Sequence, residues 1–290
     1  MASLGVTRNL EEAGMARSHR VKRVGRLIAA IFRQPRLSVH CLSQISEIIR
    51  GIRHSKLYRE PSRPEGVGAP KTLLEDIFDR HSTGHGIWKW RHYFPIYHAH
   101  FQKFIGRDVR VLEIGVFSGG SLEMWRSYFG DRCHIYGVDI AEDCRAYAND
   151  HTTIFIGDQE DRAFWRRFKS EVPQIDILID DGGHTFDQQI VTLEEMLPHI
   201  RPGGIYVCED VHRNNNRFNS YCHGLLKSLN DTTPMDPSGQ KGVMRPNPLQ
   251  AWLAGVHFYP YVIVIEKADR PIEKLMFDRR GTLWRPIETP

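Results

Sequence analysis

Residues 109–120 read V-R-V-L-E-I-G-V-F-S-G-G. Val109–Ile114 is a short aliphatic run that stops at Gly115, and a helical stripe of Leu122, Trp125 and Phe129 follows it. A buried strand that turns directly into a helix is the opening unit of a parallel α/β sheet. The chain then repeats that unit. His134–Val138 ends at Asp139, and Thr153–Ile156 ends at Gly157 and Asp158. A helix with Phe164, Trp165 and Phe168 comes next. Ile175–Ile179 ends at Asp180 and Asp181, and Phe186, Ile190, Leu193 and Leu197 mark a further helix. Arg201-Pro202-Gly203-Gly204 reads as a turn into Ile205–Cys208, which ends at Glu209 and Asp210. Strands of this length alternating with helices predict an α/β, doubly wound, mostly parallel sheet. Tyr259–Lys267 is expected to close its edge as one antiparallel strand.

The acids carry the functional signal. Glu113, Asp139, Asp158, Asp180, Asp181, Glu209 and Asp210 all fall at strand ends. In an open α/β sheet, ligands bind outside the carboxyl ends of the strands. So many carboxylates on one rim repel each other unless a cation or hydrogen-bond donors neutralise them. Gly115, Gly119 and Gly120 allow close backbone approach before a helix N-terminus. Asp139, about 25 residues beyond Gly115, is placed to accept bonds from a ribose diol. These features fit either a nicotinamide dinucleotide or S-adenosylmethionine. The loop is not G-x-G-x-x-G, and an acidic rim without Arg or Lys serves a pyrophosphate poorly. A cationic sulfonium suits it better. Asp158 is placed to accept an exocyclic adenine amine.

In this order, E-I-G-V-F-S-G-G, G-V-D, G-D-Q, I-D-D-G-G-H, R-P-G-G-I-Y-V and E-D resemble the class I S-adenosylmethionine-dependent methyltransferases. More narrowly, they resemble the magnesium-dependent sugar O-methyltransferases of macrolide tailoring, the mycinamicin and macrocin type. The resemblance runs from about residue 77 to 267. It implies a seven-stranded Rossmann-like sheet, with S-adenosyl-L-methionine and Mg2+ as cofactors. It also implies a small-molecule or glycan acceptor methylated on a hydroxyl of a sugar, glycoside or other vicinal diol. Carried over, the metal ligands are Asp181, Glu209 and Asp210, and the base is His184. The cofactor contacts fall on Glu113, Gly115, Ser118, Gly119, Asp139, Asp158 and Gln159, with Asp180 beside them. An oxygen-only donor set favours Mg2+ over Zn2+. An imidazole suits proton removal near neutral pH. The sequence departs from the family at Ser82–Tyr93 (S-T-G-H-G-I-W-K-W-R-H-Y), which is longer and more aromatic, and at the N-terminal extension.

The chain has 290 residues, 41% hydrophobic and 26% charged, which sets aside disordered and fibrous classes. Its formal charge of +4 is uneven. Residues 16–59 hold nine arginines and two lysines against the single acid Glu47, a local charge of +10. Val21, Val24, Ile28 and Ile31, and after Pro35 also Leu42, Ile45, Ile49 and Ile52, fall at helical spacing. Residues 1–70 therefore read as a basic amphipathic extension and linker, and 71–290 as the methyltransferase domain. Such helices pack on the main domain or on a second subunit of a homo-oligomer, or lie on an anionic membrane surface. No nucleic-acid recognition motif accompanies the basic residues. The longest N-terminal aliphatic run, Leu27–Phe32, is too short to span a bilayer. Five scattered cysteines without a C-x-x-C pair and the lack of a secretory pattern point to a reduced, cytoplasmic setting, peripheral at the inner membrane surface where the extension engages it.

Three other segments stand out. His92, His98 and His100, interleaved with Trp88, Trp90, Tyr93 and Tyr97, read as a pocket wall; a zinc site is conceivable, but their spacing matches no zinc motif. Residues 211–256 read as a long connection, with Arg213 and Asn214–Asn216 able to touch a polyhydroxylated acceptor. Two competing readings are a non-heme iron hydroxylase, which lacks its second histidine here, and a membrane-surface scaffold retaining a methyltransferase fold.

Overall fold

The computed structural model describes residues 44–59, 70–211, 217–231, 233–234, 242–278 and 280–281. The first expected N-terminal helix, Cys41, most of the linker after residue 59, Arg213 and Asn214–Asn216 lie outside the described residues. The chain divides into two compact units, Met1–Ala69 and Pro70–Pro290. The first unit contains helix α1 (Ile45–Leu57), none of whose residues is buried. Among the described residues, no helix is long and apolar enough to cross a membrane.

The second unit opens with α2 (Leu73–Arg80) and α3 (Tyr93–Phe101). It continues through β1 (Val109–Ile114), α4 (Gly120–Phe129), β2 (Cys133–Asp139), β3 (Thr152–Ile156), α5 (Arg162–Glu171), β4 (Ile175–Asp180), α6 (Phe186–Met196) and β5 (Ile200–Cys208). After these come α7 (Arg217–Leu229), β6 (Val243–Met244), α8 (Pro248–Trp252), β7 (Leu253–Tyr259), β8 (Val262–Lys267) and β9 (Leu275–Met276). Seven strands form one sheet in the order β3-β2-β1-β4-β5-β8-β7. The first five are mutually parallel, and β8 and β7 are antiparallel.

Alternation along the strands makes two cores. Val109 and Val111 of β1 and Ile177 and Ile179 of β4 face one side, where Tyr97 and Phe101 of α3 and Trp125 and Phe129 of α4 cover them. Leu112 and Leu178 face the other side, under Phe164, Trp165 and Phe168 of α5, Leu193 of α6 and Phe218 of α7. Near-continuous apolar strands are what a sheet covered on both faces requires.

The register aligns the strand ends. Ile114 pairs with Val138 and with Asp180, Asp139 with Ile156, and Asp180 with Cys208. The ladder runs one residue further, because the amides of Gly115, Gly157, Asp181 and Glu209 donate to Val138, Asp139, Ile114 and Asp180. Gly115, Asp139, Gly157, Asp181 and Glu209 are thereby set along one rim. The chain reverses its direction of travel across the sheet between β1 and β4, the switch point.

Two expectations are corrected. Arg201–Gly204 lies inside β5 and is not a turn leading into it; a register shift opposite Asp176 and a φ of +75° at Gly203 absorb the irregularity. Tyr259–Lys267 is not one strand, because Pro260 and Tyr261 make the turn of a β7–β8 hairpin. Proline has no amide to give a ladder, and Tyr261 takes a φ of +66°. The supposed long connection thus holds α7, α8 and β7.

Phe168 is 1% exposed and packs on Phe155, Phe164 and Trp165. Phe168→Ala is expected to destabilise the second unit by about 3–5 kcal/mol, measured by urea denaturation.

Candidate active site

A cavity of about 570 Å3 opens on the rim. Its lining includes Gly115, Ser118, Asp139, Asp158, Gln159, Asp181, His184, Glu209 and Asp210. Glu113, Gly119 and Asp180, also expected to touch a cofactor, are not among the lining residues.

The glycine loop is shaped by two constraints. Gly115 has a φ of +90°, and a Cβ there would run into the Asp181 carbonyl. Asp139 holds the far side of the loop, its Oδ2 accepting from the Phe117 amide at 3.0 Å and its Oδ1 from the Ala141 amide at 2.9 Å. Each carboxylate oxygen keeps a second lone pair for a diol. Asp158 is exposed, with Oδ1 accepting from the Glu160 amide.

Gln159 and Asp180 face inward. Gln159 Nε2 donates to Asp180 Oδ1 at 3.0 Å and to Thr192 Oγ1 at 3.2 Å, and its Oε1 accepts from the Gly183 amide at 2.9 Å. Tyr206 donates to Asp180 Oδ2. Burial pushes the Asp180 carboxyl above the usual carboxylate range. These two side chains latch the Asp181–Thr185 turn to the sheet. At the other end of that turn, Thr185 Oγ1 accepts from the Gln188 amide and Gln188 Oε1 from the Thr185 amide, a capping box for α6. Between these anchors His184 sits at a φ of +57°. Asp210 on the neighbouring strand end sits at +54°. Such left-handed conformations cost roughly 1–3 kcal/mol and persist where their surroundings over-determine them.

Around His184 the acids converge. His184 Nε2 lies 3.9 Å from Asp181 Oδ1 and 3.7 Å from Asp210 Oδ2. One ligand atom from each of Asp181, His184 and Asp210 falls within 4.8 Å of the other two. Asp210 Oδ1 accepts from Tyr93 at 2.6 Å and from Trp90 Nε1 at 3.1 Å, so Oδ2 is the oxygen turned toward His184. His184 Nδ1 is buried without a hydrogen-bond partner.

Glu209 is held differently. It is 1% exposed and accepts from Tyr97 at 2.5 Å and from Lys89 Nζ at 3.0 and 3.1 Å. Lys89, with its side chain 3% exposed, also donates to Asp181 Oδ2 at 2.5 Å and stands 3.7 Å from Glu113. Burial alone would lower the Lys89 ammonium; the surrounding Asp181, Glu209 and Glu113 carboxylates override it and hold it well above the ordinary lysine range. Burial and the Asp181 charge push the Glu209 carboxyl up to about 8, against the pull of Lys89. Glu113 rises by burial as well; Ser121 donates to its Oε2, while Oε1 has no hydrogen-bond partner. Lys89 is the functional residue that the sequence pattern misses. Its signal was the excess of rim acids, which demands a cation from somewhere in the fold.

A doubly wound sheet of this order, with a glycine loop and an acidic rim at its switch point, defines the class I methyltransferase fold. Residues 112–211 match the family described as a methyltransferase domain. It is similar to mycinamicin VI 2''-O-methyltransferase of Micromonospora griseorubida, 34% identical over 225 residues, 70% of this chain and 54% of that protein. It is similar also to 8-demethyl-8-(2-methoxy-alpha-L-rhamnosyl)-tetracenomycin-C 3'-O-methyltransferase of Streptomyces olivaceus, 34% identical over 230 residues, 71% of this chain and 55% of that protein. The structure of MycE methyltransferase from the mycinamycin biosynthetic pathway, in complex with Mg, SAH and mycinamycin VI, superposes with a TM-score of 0.56 at 29% identity. That match covers 69% of this chain and 55% of MycE. The chain spans about half the length of the curated relatives it matches.

Lys89→Met would leave Asp181, Glu209 and Glu113 without their shared cation. Removing one partner of a buried ion pair costs about 3–5 kcal/mol, and a loss of that size is expected in urea denaturation at neutral pH.

Proposed function

We propose that the chain is an S-adenosyl-L-methionine- and Mg2+-dependent O-methyltransferase acting on a hydroxyl of a sugar, glycoside or other vicinal diol. The observation that carries this reading is the convergence of Asp181 Oδ1 and Asp210 Oδ2 on His184 beside the glycine loop. The relatives named as sugar O-methyltransferases, and the Mg and SAH held by MycE, support it.

The residues fit both groups. For the cation there are oxygens from Asp181 and Asp210, with Glu209 able to join once it gives up its bonds to Lys89 and Tyr97. The buried, unpartnered Nδ1 of His184 and the left-handed backbone at His184 and Asp210 mark a place built for more than packing. For the donor there are the close backbone approach at Gly115 and the spare lone pairs of Asp139. When bound, S-adenosylmethionine supplies the electrophilic methyl group and Mg2+ supplies positive charge beside the acceptor oxygen.

The protein's own groups do the rest. His184 Nε2 faces the gap between the two aspartates, where it accepts the acceptor hydroxyl's proton as the methyl transfers. Tyr93 and Trp90 fix Asp210, and Gln159 and Gln188 fix the turn that carries His184. Exposed Trp88 and Trp90 on the cavity wall offer flat apolar faces to a sugar ring. Among the described lining residues His184 is the one histidine, so a two-histidine iron site is not assembled in this cavity.

Asp181→Ala is expected to abolish cation-stimulated methyl transfer to a panel of glycosides and catechols, as EDTA does to the parent protein, while calorimetry still detects S-adenosylmethionine binding. His184→Ala is expected to lower kcat by about 10²–10⁴-fold; unchanged turnover would remove it as the base.

The N-terminal helix supports contact with an anionic membrane surface. Ile45, Ile48, Ile49 and Ile52 of α1 are 45%, 59%, 44% and 53% exposed. They form one stripe at helical spacing, with Arg50, Arg53 and Lys56 on the same helix. The full chain is expected to co-sediment with vesicles containing phosphatidylserine at low salt, and Ile48→Glu with Ile49→Glu to release it. A helix that packs against a second copy would instead leave the vesicles bare and give a dimer in sedimentation.

A further inference from the structure

Helix α3 has a second cluster at its C-terminal end. Tyr93 and Tyr97 reach toward the rim, whereas His100, one turn beyond Tyr97, meets the β7–β8 hairpin. His100 Nδ1 stands 2.9 Å from Glu266 Oε1, and His257 Nε2 stands 3.3 Å from Glu266 Oε2. One ligand atom from each of the three lies within 4.8 Å of the others. The hairpin register explains how His257 gets there. Glu266 pairs with Gly255, two residues before His257 on the same face of β7. The missing side chain at Gly255 leaves space for the imidazole; a Cβ would stand 3.3 Å from His257 Nε2.

We propose that His100, His257 and Glu266 form a binding site for a transition-metal dication of the zinc class. Two imidazoles and a carboxylate are a borderline donor set that suits Zn2+ and not Mg2+. With bonds of about 2.0–2.1 Å, tetrahedral ligands stand roughly 3.3 Å apart, a spacing that ligand atoms already within 4.8 Å of one another reach by small side-chain rotations, with each imidazole now beside one oxygen of the same carboxylate. The outer contacts are also in place. His100 Nε2 bonds to the Tyr259 hydroxyl at 2.9 Å, which holds the ring with Nδ1 toward Glu266; with Nδ1 on an ion, Nε2 carries the proton and the hydroxyl accepts it. His100 is 7% exposed, and the side chains of His257 and Glu266 are 39% and 24% exposed, so an ion reaches the site from solvent and closes onto a buried ligand. Three protein ligands leave a fourth position for water. The bound ion would clamp α3 to the sheet-edge hairpin.

Calorimetric titration of ZnCl2 into the chelator-stripped full chain carrying Asp181→Asn, which disables the rim aspartate, tests the site. One Zn2+ per chain is expected. Adding His257→Ala or Glu266→Gln to that background is expected to weaken binding by more than about 100-fold, and Tyr259→Phe by about 10–100-fold. Circular dichroism confirms that each variant is folded, and MgCl2 in place of ZnCl2 gives no heat from these residues. Zn2+ binding left unchanged by both His257→Ala and Glu266→Gln overturns the proposal, as does the absence of Zn2+ binding in the parent chain.

Discussion

One lysine ammonium, buried among carboxylates, is the interaction on which the rim of this fold rests. A parallel sheet delivers the end of every strand to the same edge, and here five strands end at or beside an acid. Without compensation, Glu113, Asp181 and Glu209 would be neutral or would force the edge apart. Lys89 comes from the segment preceding α3, far from these acids in sequence, and lies against all three. Its charge favours the ionised form of Glu113 and Glu209 against the burial that pushes both carboxyls up. The aromatic segment that delivers it also supplies Tyr97 as a donor to Glu209, and Trp90 and Tyr93 as donors to neighbouring Asp210. What reads as an unusual insertion is the counter-charge of the site.

The arrangement divides the rim into two halves. Asp139 and the glycine loop face the cavity with lone pairs to spare, as a diol-binding edge needs. Asp181 shares itself, with Oδ2 on Lys89 and Oδ1 turned to His184. Asp210 is divided in the same way between Tyr93 and His184. Each of these aspartates thus has one oxygen for holding position and one for function. Glu209, tied to Lys89 and Tyr97, has both oxygens committed to the protein, which sets it apart from the other two acids that resemblance groups with it.

Much of the fold is legible in the sequence because its signals are local. The apolar run Val109–Ile114 ending at a glycine, the stripe Phe186-Ile190-Leu193 and the acids after each strand are read from neighbours alone. The misreadings occur where tertiary pairing overrides such signals. Arg201–Gly204 has the composition of a turn and bulges out between Ile200 and Ile205, which pair with β4 on either side of it and so carry β5 through. Leu253–Tyr259 lacks clean alternation and becomes a strand only because β8 lies beside it. At the site, the sequence places Asp139, Asp181, His184 and Asp210 on the rim. It does not show that Asp180 turns inward, because two adjacent acids at a strand end point to opposite faces and only packing decides which faces in; nor does it show that Gln159 at the cavity wall is spent on Asp180, Thr192 and the Gly183 amide. The excess of rim acids called for a cation but did not point to Lys89, because one lysine between two tryptophans carries no periodicity. His100 and His257 lie far apart along the chain and meet only through the hairpin register.

The left-handed backbone at His184 and Asp210 has an evolutionary consequence. Glycine at either position would relieve the backbone, yet at 184 it would delete the imidazole, and at 210 it would also strip Tyr93 and Trp90 of their acceptor. At position 184, selection for robustness and selection for keeping the imidazole therefore pull in opposite directions, whereas at position 210 the carboxylate's own hydrogen bonds argue for keeping it. Variants gathered for heat tolerance alone would drift toward glycine at 184 and not at 210, trading the imidazole for a relaxed turn.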